Sequence, residues 1–156
     1  MPNRRRAPVA RNVPAPRSAA RVDAAHAAVA AAPERDTRRA LADARRAAAL
    51  CLDLKANDVI LLDLTRVSDA TDYFVLASGS SDTHVRAIAE HVAEEMRKHG
   101  VRAHHVEGLP QGRWVLLDYV DFVVHVFHPA LREFYQLERL WSDAEALPLD
   151  AESANA

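Results

Sequence analysis

Residues 72–81 read Asp-Tyr-Phe-Val-Leu-Ala-Ser-Gly-Ser-Ser, and this stretch decides the fold. Tyr73 to Ala77 are apolar without a break, the pattern of a strand covered on both faces. Ser78-Gly79-Ser80-Ser81 makes a turn. Ser81 or Asp82 then caps a helix in which Val85, Ile88, Ala89, Val92 and Met96 recur at helical spacing. Gly100 stands where the residue just past a helix end belongs.

Working outward, Asp36 or Thr37 opens a helix that runs to about Asp53, with Leu41, Ala44, Ala48 and Cys51 along one face. A turn at Lys55–Asp58 leads into a strand at Val59–Leu64, and 65–71 form a polar loop. Downstream, strands are expected at about Arg102–Val106, Arg113–Tyr119 and Phe122–Phe127. Only Val120 and Asp121 separate the last two, so they join in a tight hairpin or bulged turn. Pro129 suits the first turn of a final helix reaching about Asp143. The order α-β-β-α-β-β-β-α predicts an α/β (α+β) domain at 37–144, with a single mixed sheet of about five strands flanked by helices. A polar, acidic, flexible tail is expected at 145–156.

Composition divides the chain differently from its length. Of 156 residues 49% are nominally hydrophobic, but 31 are alanine, which contributes little burial. Residues 1–40 carry nine Arg against Asp23, Glu34 and Asp36, a net of +6, while 41–156 carry a net of −8. Residues 1–36, rich in Ala, Arg and Pro, read as a disordered basic extension. Three readings of it stay open: a compositionally biased tail, an organelle transit peptide, or a non-specific RNA-binding arm. No apolar run approaches the ~18 residues a membrane span needs. One cysteine, Cys51, excludes a disulfide framework and a cysteine-rich zinc site. An acidic body argues against the folded part gripping nucleic acid, which needs clustered positive charge.

Ser78–Ser81 is the most enzyme-like feature, because a strand–turn–helix presents backbone N–H groups and a positive dipole end to a phosphate. Nucleotidyl transfer at such a turn also needs two carboxylates spaced i, i+2 to hold magnesium. The nearest candidates, Asp118 and Asp121, are spaced i, i+3 across a turn. The histidines have no metal-ligand spacing: His104 and His105 face opposite ways, and His125 and His128 diverge. His125 interrupts an apolar strand and reads as a hydrogen-bonded core or rim residue. Trp114, Leu116 and Asp118 share one strand face; Val115, Leu117 and Tyr119 share the other. That Trp-Leu stripe is either buried under a helix or exposed as a binding hot spot ringed by Asp118 and Asp121. On the last helix Leu131, Phe134, Tyr135, Leu137 and Trp141 cover one arc, and Glu138 falls inside it. That carboxylate then has a partner, sits at an interface rim, or reaches water.

Four blocks together resemble one family. They are Asp72–Ser81, Trp114–Tyr119, Asp121–Phe127 and Arg132–Trp141 (Arg-Glu-Phe-Tyr-Gln-Leu-Glu-Arg-Leu-Trp), and in that order they are similar to the ribosomal silencing factor (RsfS, or Iojap) family over about 38–144. The family usually has glycine where this chain has Val120. The resemblance implies a nucleotidyltransferase-like fold without the catalytic carboxylates, and therefore no enzyme activity, no cofactor and no metal. It implies a cytoplasmic translation repressor, or an organelle protein if 1–36 is a targeting segment. Such a factor docks on a protein at the intersubunit face of the large ribosomal subunit and blocks small-subunit joining under nutrient limitation. Homodimers are a further implication. By analogy Trp114, Leu116, Asp118, Tyr119 and Asp121 are the partner-binding candidates, with Trp114 and Tyr119 as anchors and the two aspartates pairing with Lys or Arg. Arg132, Tyr135, Glu138 and Trp141 form a second tier that core packing also explains. An acidic factor suits a basic ribosomal protein and has no claim on specific nucleic acid.

Overall fold

The computed structural model describes residues 37–136, 139 and 142–149. The expected extension at 1–36, and the candidates Glu138 and Trp141, lie outside the described residues. The chain order is α1 (Thr37–Asp53), β1 (Asn57–Asp63), β2 (Tyr73–Ser78), α2 (Asp82–Lys98), β3 (His105–Glu107), β4 (Trp114–Asp118), β5 (Phe122–Phe127), α3 (Pro129–Tyr135) and β6 (Glu145–Leu147).

The strands form one six-stranded mixed sheet in the order β3-β4-β5-β2-β1-β6. Every pairing is antiparallel except β2 with β5, which run parallel at its centre with Tyr73 opposite Phe122 and Ser78 opposite Phe127. The unbroken apolar runs follow from this position, because both strands are buried on both faces. Tyr73, Val75, Ala77, Val115, Leu117, Phe122, Val124 and Val126 face α1 and α2. Phe74, Leu76, Trp114, Leu116, Val123 and Phe127 form the second layer with Leu131 of α3.

Local chemistry sets the boundaries of α2. Ser81, in extended conformation, is its N-cap, and its side chain accepts from the His84 N–H at 3.1 Å. At the other end Gly100 has φ +79; its N–H bonds Arg97 O while Val101 N–H bonds Met96 O, a Schellman closure. Gly79 is needed for close approach, since a Cβ there would lie 2.8 Å from both Val85 N and Cγ2.

Three expectations change. The sheet has six strands, because Glu145–Leu147, expected in the acidic tail, pair with Asp63–Leu61 of β1. The helix expected from Pro129 to about Asp143 is interrupted: α3 closes at Tyr135, where Gln136 turns left-handed (φ 46, ψ 55) with its N–H on Arg132 O, and Arg139 beyond the break is helical again. β3 spans 105–107 and not 102–106, because Val101 is drawn back onto the end of α2 and the strand starts only beyond it.

The β4–β5 hairpin closes through Tyr119 N–H to Phe122 O at 2.9 Å. Inside it Asp121 N–H bonds Tyr119 O, a γ-turn centred on Val120 at φ +72. A β-branched residue at positive φ is strained. The strain is held by Asp118 Oδ1, which accepts the Val120 N–H at 2.8 Å, and by Asp72 N–H on Asp121 O at 2.8 Å. Val120→Gly should therefore stabilise the fold by about 1 kcal/mol or more, read as a higher urea midpoint at unchanged m-value. An unchanged or lower midpoint would show that the turn is unstrained.

Candidate partner-binding surface

The parallel register of β2 and β5 gives the sheet two chemically different ends. One holds the β1–β2 loop and the β4–β5 hairpin; the other holds the Ser78–Ser81 turn and the start of α3. Five residues of β2 separate them, roughly 17 Å of strand.

At the hairpin end carboxylates gather. Asp118 and Asp121 flank the turn, the Asp72 N–H bonds the Asp121 carbonyl, and Asp63 stands directly opposite Glu145 across β1 and β6. Asp69 is exposed on the intervening loop. Like charges placed opposite one another weaken strand pairing, so this rim carries a local cost in the isolated protein. Asp63 offsets part of it by accepting from Thr65 N (2.9 Å) and Oγ1 (2.6 Å). Between the carboxylates Val120 is 51% exposed, and Val106 on the neighbouring edge strand is 40% exposed. Two bare valines among carboxylates suit a partner that offers both apolar contact and positive charge.

The sequence candidates divide sharply. Trp114 and Leu116 are buried core residues and not exposed anchors, because the second layer covers their face of β4. Trp114 Nε1–H donates to His125 Nδ1 at 3.1 Å, and its ring lies 4.8 Å from that of Phe127. Tyr119 is 8% exposed and stacks on Phe122 at 4.6 Å. Its hydroxyl is buried, which pushes its pKa up to about 12. Its ring edge lines a cleft of roughly 370 Å³ with Arg39, Asp43, Arg102 and Asp121. Asp118 and Asp121 are half-buried at the rim. Arg132 is buried, and its Nη1 donates to Ser78 Oγ at 2.9 Å, tying α3 to the end of β2. Of Tyr135 the backbone that ends α3 is the described part. The structure thus brings Asp118, Tyr119 and Asp121 together and places Arg132 at the opposite end of the sheet.

The turn at that opposite end is occupied with its own structure. Gly79 N–H bonds Phe127 O at 2.9 Å, and Ser80 N–H bonds His84 Nδ1 at 2.8 Å. His84 Nε2 in turn bonds Leu54 O at 2.6 Å. Two of the N–H groups a phosphate would use are thus engaged, and Asp118 and Asp121 lie at the far end of the sheet. Among the described residues no group of three His, Cys, Asp or Glu is placed to hold a metal ion. Cys51 is fully buried and its thiol is pushed up to about 12, so it is unreactive.

Sequence reasoning missed Val120, Val106 and the rim carboxylates Asp63 and Asp69, and Asp72 is buried beneath that rim. Valine is an ordinary strand residue, and only the hairpin geometry exposes these two. The cluster at Asp69–Asp72 was visible as charge, but its meeting with Asp121 depends on the parallel pairing.

Residues 37–156 match the family described as "Ribosomal silencing factor during starvation". The chain is 43% identical over 104 residues to the ribosomal silencing factor RsfS of Bacillus subtilis, covering 67% of this chain and 88% of that protein. It is 30% identical over 90 residues to mouse "mitochondrial assembly of ribosomal large subunit protein 1", covering 56% of this chain and 40% of that one. A crystal structure from Chromobacterium violaceum superimposes with TM-score 0.63 at 34% identity, covering 65% of this chain and 86% of that one.

His125 supplies a pH test of the core beneath this surface. Its Nδ1 accepts from Trp114, and its buried Nε2 has no hydrogen-bond partner among the described residues. Burial pushes its pKa down to about 3. An unfolded imidazole titrates near 6.5, so between about 6.5 and 3 the unfolded chain takes a proton that the native one refuses. Stability from this group is complete above pH ~6.5 and is lost as pH falls towards 3. His125→Gln keeps an acceptor for the indole and should flatten the stability–pH curve between pH 6 and 4 by up to about 1.4 kcal/mol per pH unit. Parallel curves for the two proteins, by denaturant titration, would contradict the burial.

Proposed function

The chain belongs to the ribosomal silencing factor family, and from that premise we propose that it binds the large ribosomal subunit, blocks joining of the small subunit by its bulk, and so represses translation when nutrients are scarce. The large subunit is the natural docking particle, since a mouse relative carries its assembly in its name. The contact is a basic ribosomal protein at the intersubunit face, met by Asp118, Asp121, Val120, Val106 and the edge of Tyr119. The carrying observation is the acidic hairpin rim with its two exposed valines. A ribosome surface is mostly phosphate, which repels carboxylates, so an acidic rim selects the basic protein patches set in it. Trp114 and Leu116 act from beneath, holding β4 so that Asp118 and the turn keep their geometry.

The action proposed is steric and needs no bond making. A cytoplasmic site of action fits the bacterial relative, and no helix among the described residues is long and apolar enough to cross a membrane. A homodimer of the free protein would compete for the same valines. Self-association at that end would therefore lower the concentration of silencing-competent monomer.

Two measurements test the reading. In sucrose gradients with separated subunits, the protein should migrate with the large subunit and suppress 70S formation. Asp69→Lys with Asp121→Lys should weaken that binding at least tenfold, mainly through a slower on-rate. Trp114→Phe should lower stability by about 1–2 kcal/mol and leave affinity of the folded protein unchanged. A wild-type protein that leaves 70S formation untouched would sink the proposal. Full affinity in the lysine variant would move the contact elsewhere.

A further inference from the structure

The solvent face of α1 carries a charge pattern that the silencing reading does not use. Arg38, Arg39, Arg45 and Arg46 fall within an arc of about 120° at 100° per residue, with Ala42 and Ala49 between them. Arg38, Arg39, Arg46, Ala42 and Ala49 are exposed and Arg45 is half-buried, spending one of its five N–H donors on Pro148 O at 3.3 Å. Nearby carboxylates are few. Asp43 lies at the edge of the arc and is half-buried, while Asp53, within the arc two turns beyond Arg46, meets His91 at 3.3 Å. Arg38 and Arg39 occupy the first turn, where the helix dipole disfavours cations. The charge boundary of the chain lies at the end of this helix: residues 1–53 sum to +6 and 54–156 to −8.

The basic face adjoins the acidic rim. Arg39 and Asp43 line the same cleft as Tyr119, Asp121 and Phe122. We infer that the arginine face of α1 is a second contact, taking ribosomal RNA phosphates beside the basic protein that the hairpin rim binds. The inference rests on the large-subunit reading above. Basic protein patches on that particle are bordered by RNA, so a surface that is acidic throughout would be repelled at its margin. Here the sign reverses within one cleft width. The two alanines let the helix backbone approach, and guanidinium groups suit phosphate pairing without reading sequence. Net charge over the whole body averages this face away.

The test uses the full chain and salt-washed large subunits, with affinity measured from 50 to 200 mM KCl. Each phosphate contact contributes roughly 0.7–0.9 to the slope of log K against log salt. The variant Arg38→Gln, Arg39→Gln, Arg45→Gln, Arg46→Gln should flatten that slope by roughly 3. Its melting temperature should change by only a few degrees, because removing two cations from the helix N-terminus offsets the lost Arg45–Pro148 hydrogen bond. In parallel, Arg46→Cys labelled with benzophenone-maleimide should photo-crosslink to ribosomal RNA, giving an RNase-sensitive adduct; buried Cys51 stays unlabelled. An unchanged slope, or an adduct confined to protein, overturns the inference and leaves the silencing reading standing. Wild-type protein that fails to sediment with large subunits overturns both.

Discussion

The parallel pairing of β2 with β5 is the constraint from which the other features follow. Parallel neighbours cannot be joined by a tight turn, so the chain must leave β2, cross the sheet through α2, add β3 and β4, and return along β5. That path buries both central strands on both faces and requires two apolar layers. It also sends the two ends of β2 to different chemical surroundings. The Ser78–Ser81 turn goes to one end, where Arg132 and His84 tie it down. The hairpin and its carboxylates go to the other.

Segregation of this kind explains why the Ser78–Ser81 turn and the carboxylates make no metal site among the described residues. Catalysis of nucleotidyl transfer needs them within a few ångströms of one reacting phosphate. The sheet holds them about five residues apart along a strand. What the acidic end holds is a surface of partly exposed valines, a strained turn between them, and carboxylates that repel one another, which is the basis of the recognition role proposed above. The buried Trp114–His125 hydrogen bond supports this from below, because β4 carries both the indole and Asp118.

Much of the fold was legible because its signals are local. Ser81 as a cap, Gly100 as a helix terminator, and the unbroken run from Tyr73 each depend on a few adjacent residues. The misses depend on distant ones. Glu145-Ala146-Leu147 has no strand pattern and becomes β6 only because β1 offers an open edge. Gln136 ends α3 without the glycine that usually announces a left-handed cap. Trp114 and Leu116 could be read as core or surface, since both faces of β4 are apolar, and only the second layer decides it. Of the candidate surface, Asp118 and Asp121 were visible as residues. Their grouping with Asp63 and Asp69 required the sheet order.

The three-residue β6 has a consequence for how the protein behaves in a cell. Strand β1 carries Val59, Ile60, Leu61 and Leu62 in succession, and β6 pairs with the half of it that holds the two leucines. Without that cover β1 would be an edge strand with an apolar row and unmet backbone donors, the template for sheet-to-sheet aggregation. A protease cutting between α3 and β6 would take Glu145 from the acidic rim and the Pro148 carbonyl from Arg45, and it would bare the apolar row of β1. The short terminal strand is thus a guard on solubility, and its loss would be felt first as precipitation.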